Sequence, residues 1–595
     1  PLPVPPLLDD PLDIPLPDEP SVAEGSGGDS NSTTPGATGG GGTTGVATGG
    51  GGTTGGGDMD AGMATDTGGM MGSDTDPVGM DTSRPPGNEP GPFEPFDPVV
   101  RRLTLDEYRY TINDIFGIQL TGSDLEDYPD EQPLGGFVRT ARGQTVLPEH
   151  VRAYWNLAER IVEDNNALNT FIQAHSDCTN INNADCGQSF IEQASLTLFR
   201  HPPTDRERQV LTDLFTTVAE EEVGFTETAQ AVTMAMLQMP SFLYLIEIEQ
   251  AEGTRRDIGG YEMASRLSYT LWGSPPDSTL YEAAANGRLD TPEGIAAEVD
   301  RMLTENDKLA RVVGRFVRDW GRLDSLPDDD GLKGELIESA VAHYSAHMLR
   351  GASVFELLTD QHATLTPALA EAYGIEDVQP DIHTYDTSGL PGRVGLLTQP
   401  GIVAGMTNAD GGAIVARGLF LQAQLLCGDV FEPPDSLADA IDSFVDELPE
   451  DATDRDIAEE RLTRGECAGC HAQFDPLAYG FESFNYRGAW IEQDSQGRDV
   501  RVDGWIPANW SDTDERQFYD NMEDYMEMLS ANSTVRRCLI QRQIEYATGQ
   551  LIETGQQRAV YDLVDALMMG DGSYEELLRE LVVHQVFRTM ATANP

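Results

Sequence analysis

The 595-residue sequence holds little positive charge, few cysteines and no long apolar run. Lys and Arg total 38 against 101 Asp and Glu, a formal net charge of −63, which argues against a basic face for nucleic acid or anionic lipid. The acid is spread along the chain and reads as a solvated, self-repelling surface rather than a patch for one partner. No stretch approaches the ~18 consecutive apolar residues that cross a bilayer, so no transmembrane segment is expected. The sequence opens Pro1-Leu2-Pro3 with no charged-then-apolar leader, and a lipid anchor would lie upstream of residue 1. Catalytic signatures are also missing: no Gly-x-Ser-x-Gly elbow and no phosphate-binding Gly-Lys-Ser/Thr loop occurs. Asp328-Asp329-Asp330-Gly331 and Asp494-Ser495-Gln496-Gly497 only loosely resemble calcium loops, since neither reaches the closing glutamate.

What is present centres on Glu466-Cys467-Ala468-Gly469-Cys470-His471. Cys-x-x-Cys-His is the attachment signature of a c-type haem: two thiols add across the porphyrin vinyl groups and the next histidine binds iron. A redox dithiol would need a thioredoxin-like βαβ setting, and a zinc site would need a second Cys/His pair nearby; neither is found. The reading assigns Cys467 and Cys470 to covalent attachment of one haem c and His471 to the proximal iron position. The six cysteines leave Cys178, Cys186, Cys427 and Cys538, an even number open to three pairings. Cys178–Cys186 would close a short polar loop, and Cys427–Cys538 would staple the stretch before the motif to a helix after it. Two disulfides of this kind place the chain outside the cytoplasm.

The chain reads as mainly α: a multi-helix body with an embedded cytochrome c-like haem segment, preceded by a disordered tether rich in Gly, Thr and Pro. The tether covers residues 1–98, where near-repeats such as Gly39 to Thr44 and Gly49 to Thr54 offer little apolar surface to offset ordering entropy. Helical domains follow at 99–170, 185–250 and 253–388, then a haem-attachment domain at 390–495 and a C-terminal helical domain at 503–595. Thr104-Leu105-Asp106-Glu107 is a capping box whose helix should end at Gly117, and Thr204-Asp205-Arg206-Glu207 caps another. A short helix over Asp456 to Thr463 should deliver Cys467. Gln517 to Leu529 reads as helix, as does a final stretch from Ser573 to Met590. The clearest strand signal is Asp499 to Ile506.

Arg102 to Gly117, Phe199-Arg200-His201-Pro202, Leu267 to Trp272, Gly395-Leu396-Leu397-Thr398-Gln399, Cys467 to Trp490 and Cys538 to Gly549 occur in an order that resembles one bacterial family. It is that of the large planctomycete- and myxobacterium-type multi-domain cytochrome c-like proteins, tandem domains of unknown function with a Cys-x-x-Cys-His motif. The resemblance covers about residues 99–590 and implies an exported haem protein; it implies no particular reaction. Many relatives carry a second haem domain near the N-terminus, where this chain has its tether, so one haem is expected here. Relatives also often have histidine in the loop after the Gly-Leu-Leu-Thr-Gln module. Here that loop begins Gly405-Met406-Thr407, which makes Met406 the candidate distal ligand.

Met522, Met526 and Met528 are further methionines at a cytochrome-like separation from His471, each also readable as core filling. His584 reads first as a core histidine. His343 and His347 share a helix face, but Tyr344 follows the first, so the zinc-protease pattern fails. The function expected is an exported or surface-tethered monohaem c-type cytochrome, in electron transfer or as the redox module of an oxidoreductase. Its partner would be a redox protein or a small electron donor or acceptor. A cell-surface binding or structural protein with an ancillary haem, or a peroxidase-like haem protein, is the alternative.

Overall fold

The computed structural model describes residues 90–176, 184–221, 223–247, 254–328, 331–407, 414–430, 448–449, 451–494 and 496–592. The tether at 1–98 therefore lies almost wholly outside the described residues, as do Cys178, Asp329, Asp330, Ser495 and the loop 408–413. The fold is mainly α, with four two-stranded antiparallel ribbons among the described residues.

Helix ends follow the local chemistry. Thr104 accepts from the Glu107 amide while the Glu107 side chain returns to the Thr104 amide, and Leu105–Phe116 stops at Gly117 in the left-handed region (φ 69°). Thr204 does the same for Asp205–Ala219. Between them, Ala184–Phe199 ends at Arg200, which holds φ 68° without being glycine. The guanidinium explains the tolerance: Arg200 is buried and donates to the carbonyls of Ser241 (2.6 Å), Phe242 (3.1 Å) and Tyr244 (2.8 Å). It thus satisfies the end of Pro240–Leu243, which a shorter side chain could not reach.

Two apolar cores result. One draws Tyr108, Leu157, Phe171, Phe190, Leu211, Val232 and Phe242 from the helices between residues 105 and 243, so the stretches 99–170 and 185–250 contribute to the same interior. The ribbon of Val99–Arg102 with Tyr244–Glu247 pairs the two ends of that region. The second core is larger and draws residues from Ile258 to Met590, with Phe96 and Phe137 added from upstream, while Ile414, Ala458, Ala478 and Tyr479 form a small cluster apart from both. Arg255–Asp257 pairs with Thr589–Ala591 at its margin.

Three local expectations are corrected. Gln517–Tyr519 is a strand paired with Gly504–Ile506, and helix begins only at Met522, where Asn521 caps it through the Asp524 amide. The helix capped by Ser573 ends at Val583; the His584 ring then caps the short Gln585–Arg588 before the chain turns to strand. The motif is also not delivered by the helix before it. That helix ends at Arg461, and Cys467 to His471 lie inside a helix of their own, Gly465–Ala478.

Candidate haem-attachment site

Helix geometry does the first work. Positions separated by three and four residues share one face, so Cys467, Cys470 and His471 line up along one side of Gly465–Ala478. Both thiols are free, Cys470 exposed and Cys467 partly so. A Cβ at Gly465 or Gly469, across the helix from the motif residues, would also meet nothing within 4 Å, so the N-terminal half of this helix stands clear of its neighbours. These residues fit a covalently held planar macrocycle: two unpaired thiols and one histidine, all at least partly exposed, on a single helical face.

The C-terminal half of that helix is anchored. Gly418, in Ile414–Phe420, packs so closely that a Cβ there would overlap the Phe474 carbonyl oxygen, so two backbones meet at this point. Trp510 donates its indole N–H to the Gln473 carbonyl (2.9 Å), and Tyr525 its hydroxyl to the Leu477 carbonyl (2.7 Å). Buried Arg417 donates to the carbonyls of Phe481 and Phe484 and so fixes the turn that follows; burial pulls its guanidinium down to about 10. Ile414–Phe420 continues as a π-turn over Leu421–Leu425, after which Cys427 (φ 50°) bonds to Cys538, the Cα atoms 5.4 Å apart. The expected Cys427–Cys538 staple is therefore present. Cys186 is disulfide-bonded as well, while its expected partner Cys178 lies outside the described residues.

His471 is placed by Asp475, one turn on. The imidazole Nδ1 lies 3.1 Å from both carboxylate oxygens, and Asp475 also receives Arg461 Nε (3.1 Å) and Nη2 (2.9 Å). Nε2 has no hydrogen-bond partner among the described residues. The aromatic run after the motif mostly turns away: Phe474 meets His471 at 4.9 Å between ring centroids, but Phe481 and Phe484 sit in the large core and Tyr479 packs on Trp505. Beneath Tyr479, burial pushes the Glu482 carboxyl up to about 7 against the pull of Arg455 (3.4 Å).

Met406 ends the helix Pro400–Met406 and is buried within the large core, next to residues outside the described set. Met522 and Met526 are core residues, and Met528 packs on the core's edge. His584 accepts from the Val586 amide and faces Asp562 (3.5 Å). His347 is engaged at both nitrogens, by Asp360 (2.9 Å) and the Ser353 carbonyl (3.0 Å), while burial takes His343 down to about 3. Asp494 caps its own turn by accepting from the Gln496 and Arg498 amides. Among the described residues no three His, Cys, Asp or Glu side chains gather as a metal cradle. None of the described helices is long and apolar enough to cross a membrane.

Four family models match, in chain order. PSD3, a protein of unknown function (DUF1587), matches residues 101–165, and PSD5 (DUF1595) residues 186–247. PSD4 (DUF1592) matches residues 258–375 and PSCyt3 (DUF1588) residues 393–494, each also described as a protein of unknown function. The chain resembles these four domains set in tandem. Its PSCyt3-like segment contains the whole of Gly465–Ala478 and the Gly418 contact, and the label PSCyt3 points to a cytochrome c-like module. Nothing among curated proteins or solved structures matches the chain.

Proposed function

We propose that the PSCyt3-like segment carries one covalently attached haem c and that the chain serves electron transfer outside the cytoplasm, alone or as the redox module of an oxidoreductase. The observation that carries this is the single helical face holding Cys467, Cys470 and His471, each at least partly exposed. Each thiol adds its sulfur and its hydrogen across one vinyl group, so attachment forms two thioethers and consumes no oxidant. His471 offers Nε2 to the iron. Bound there, the group supplies a one-electron iron couple. The Cys427–Cys538 bond and the bonded Cys186 suit an oxidising compartment. A redox protein or a small donor or acceptor would be the partner.

For the iron's other side Met406 is the methionine to test, because it ends its helix within the stretch from Gly405 to Gly412 that the resemblance singles out. The deciding experiment is the denatured haemochrome spectrum of the chain made with a c-type maturation system. One thioether-linked haem per chain is expected, and none in Cys467→Ala/Cys470→Ala. A wild-type chain that carries no covalent haem overturns the proposal. Met406→Leu should abolish the charge-transfer band that methionine sulfur gives a ferric haem; a spectrum identical to wild type removes Met406 from the site.

A further inference from the structure

Asp475 is fully buried, yet it lies one helical turn from a partly exposed histidine. An ionised carboxylate only accepts hydrogen bonds, so the ring nitrogen between its two oxygens must carry the proton. Nδ1 is then the N–H and Nε2 the lone-pair nitrogen. The Arg461 fork, reaching over from Asp454–Arg461, donates to the same carboxylate at 2.9 and 3.1 Å. Three residues on two helices therefore form a chain from guanidinium to carboxylate to imidazole, ending at the one nitrogen without a protein partner. Such an arrangement orients a metal-binding histidine, fixes its tautomer and raises the basicity of the free nitrogen.

We infer that Asp475 is a positioning residue for the haem site: with Arg461 it locks His471 in the Nδ1–H tautomer and makes Nε2 a stronger donor, which favours ferric over ferrous iron. This rests on the attachment reading above. A stronger donor lowers the midpoint potential relative to the same histidine without the carboxylate. Asp475→Asn keeps the shape and removes the charge. Outer-shell partners of this kind alter metal affinity by about 10-fold to 100-fold. At the lower end, a tenfold fall in the preference for ferric iron raises the midpoint by about 59 mV for one electron.

Two measurements separate the inference from the reading it rests on. In the unloaded Cys467→Ala/Cys470→Ala chain, ¹⁵N shifts of the neutral His471 ring should show a single Nδ1–H tautomer. Adding Asp475→Asn should populate both tautomers, because an amide can turn either its oxygen or its nitrogen to the ring. In the haem-loaded protein, Asp475→Asn should raise the midpoint potential in a redox titration with dithionite, where general loosening would instead admit water and lower it. A mixed tautomer in the unloaded parent, or a potential that is unchanged or lower in the loaded variant, overturns the inference. A wild-type chain with no haem overturns the attachment reading and leaves the tautomer to decide this one.

Discussion

Removing the Cys427–Cys538 bond should cost the large core about 5 kcal/mol. The bond spans 111 residues, and the chain-entropy relation for a loop of that length gives about 16 cal/mol/K, or about 5 kcal/mol at 25 °C. Against a typical domain stability of about 5–15 kcal/mol, that is enough to bring this body near its unfolding midpoint without denaturant. The site is well chosen for such an effect. Cys427 follows the π-turn that continues the helix packed on the haem-motif helix, and Cys538 is buried in Ser533–Thr548. The variant to make is Cys427→Ala/Cys538→Ala, read by equilibrium urea unfolding. Tryptophan fluorescence isolates the right body, because Trp272, Trp320, Trp490, Trp505 and Trp510 lie between residues 258 and 590 and only Trp155 lies before. A further loss from the missing sulfur atoms is bounded by comparison with wild type under reductant, which keeps their volume. A loss below about 1 kcal/mol in both experiments would refute the reasoning and leave the bond a bystander.

Gly418→Ala should destabilise the same body by about 1–3 kcal/mol and reduce haem incorporation, since the added methyl forces Ile414–Phe420 off the Phe474 backbone; thermal unfolding equal to wild type would contradict the backbone contact. Glu482 gives a pH dependence. Its carboxyl stands at about 7 in the fold against an ordinary 4.5, so the fold binds its proton more tightly than the unfolded chain does. The stability this contributes is whole below pH 4.5 and is lost as pH rises from about 4.5 to 7, by up to about 3 kcal/mol. Glu482→Gln should therefore gain on wild type at pH 8 and not at pH 4.5 in parallel urea titrations; an equal difference at both would show that burial does not set this group.

Much of the helical frame was legible because its signals are local. Thr104 with Glu107, Thr204 with Glu207 and Gly117 each act within a few residues, and the helices begin and end at them. What failed was decided at a distance. Gln517–Tyr519 is short enough to pass for the start of the following helix, and only its pairing with Gly504–Ile506 makes it strand. The run after Ser573 keeps helical periodicity past His584, yet pairing with Arg255–Asp257 takes Thr589–Ala591 into a ribbon. At the site, the Cys-x-x-Cys-His spacing named the three residues, but not that they share a helix of their own. Asp475 was missed although it stands four residues after His471, a spacing that on a helix brings two side chains together. Phe481 and Phe484, close after the motif in sequence, belong to the large core instead.

The ribbon of Arg255–Asp257 with Thr589–Ala591 bears on when each body can close during synthesis. Its central pair, Arg256 and Met590, is separated by 334 residues, whereas every member of the smaller core lies between Tyr108 and Leu243. The smaller body can complete its interior while the chain is still being made, since domains fold as units in order of emergence. The larger one has no finished margin until Met590 has appeared. The elements packed against Gly465–Ala478 come from residues 414–525, so the haem-motif helix acquires its neighbours before that margin closes.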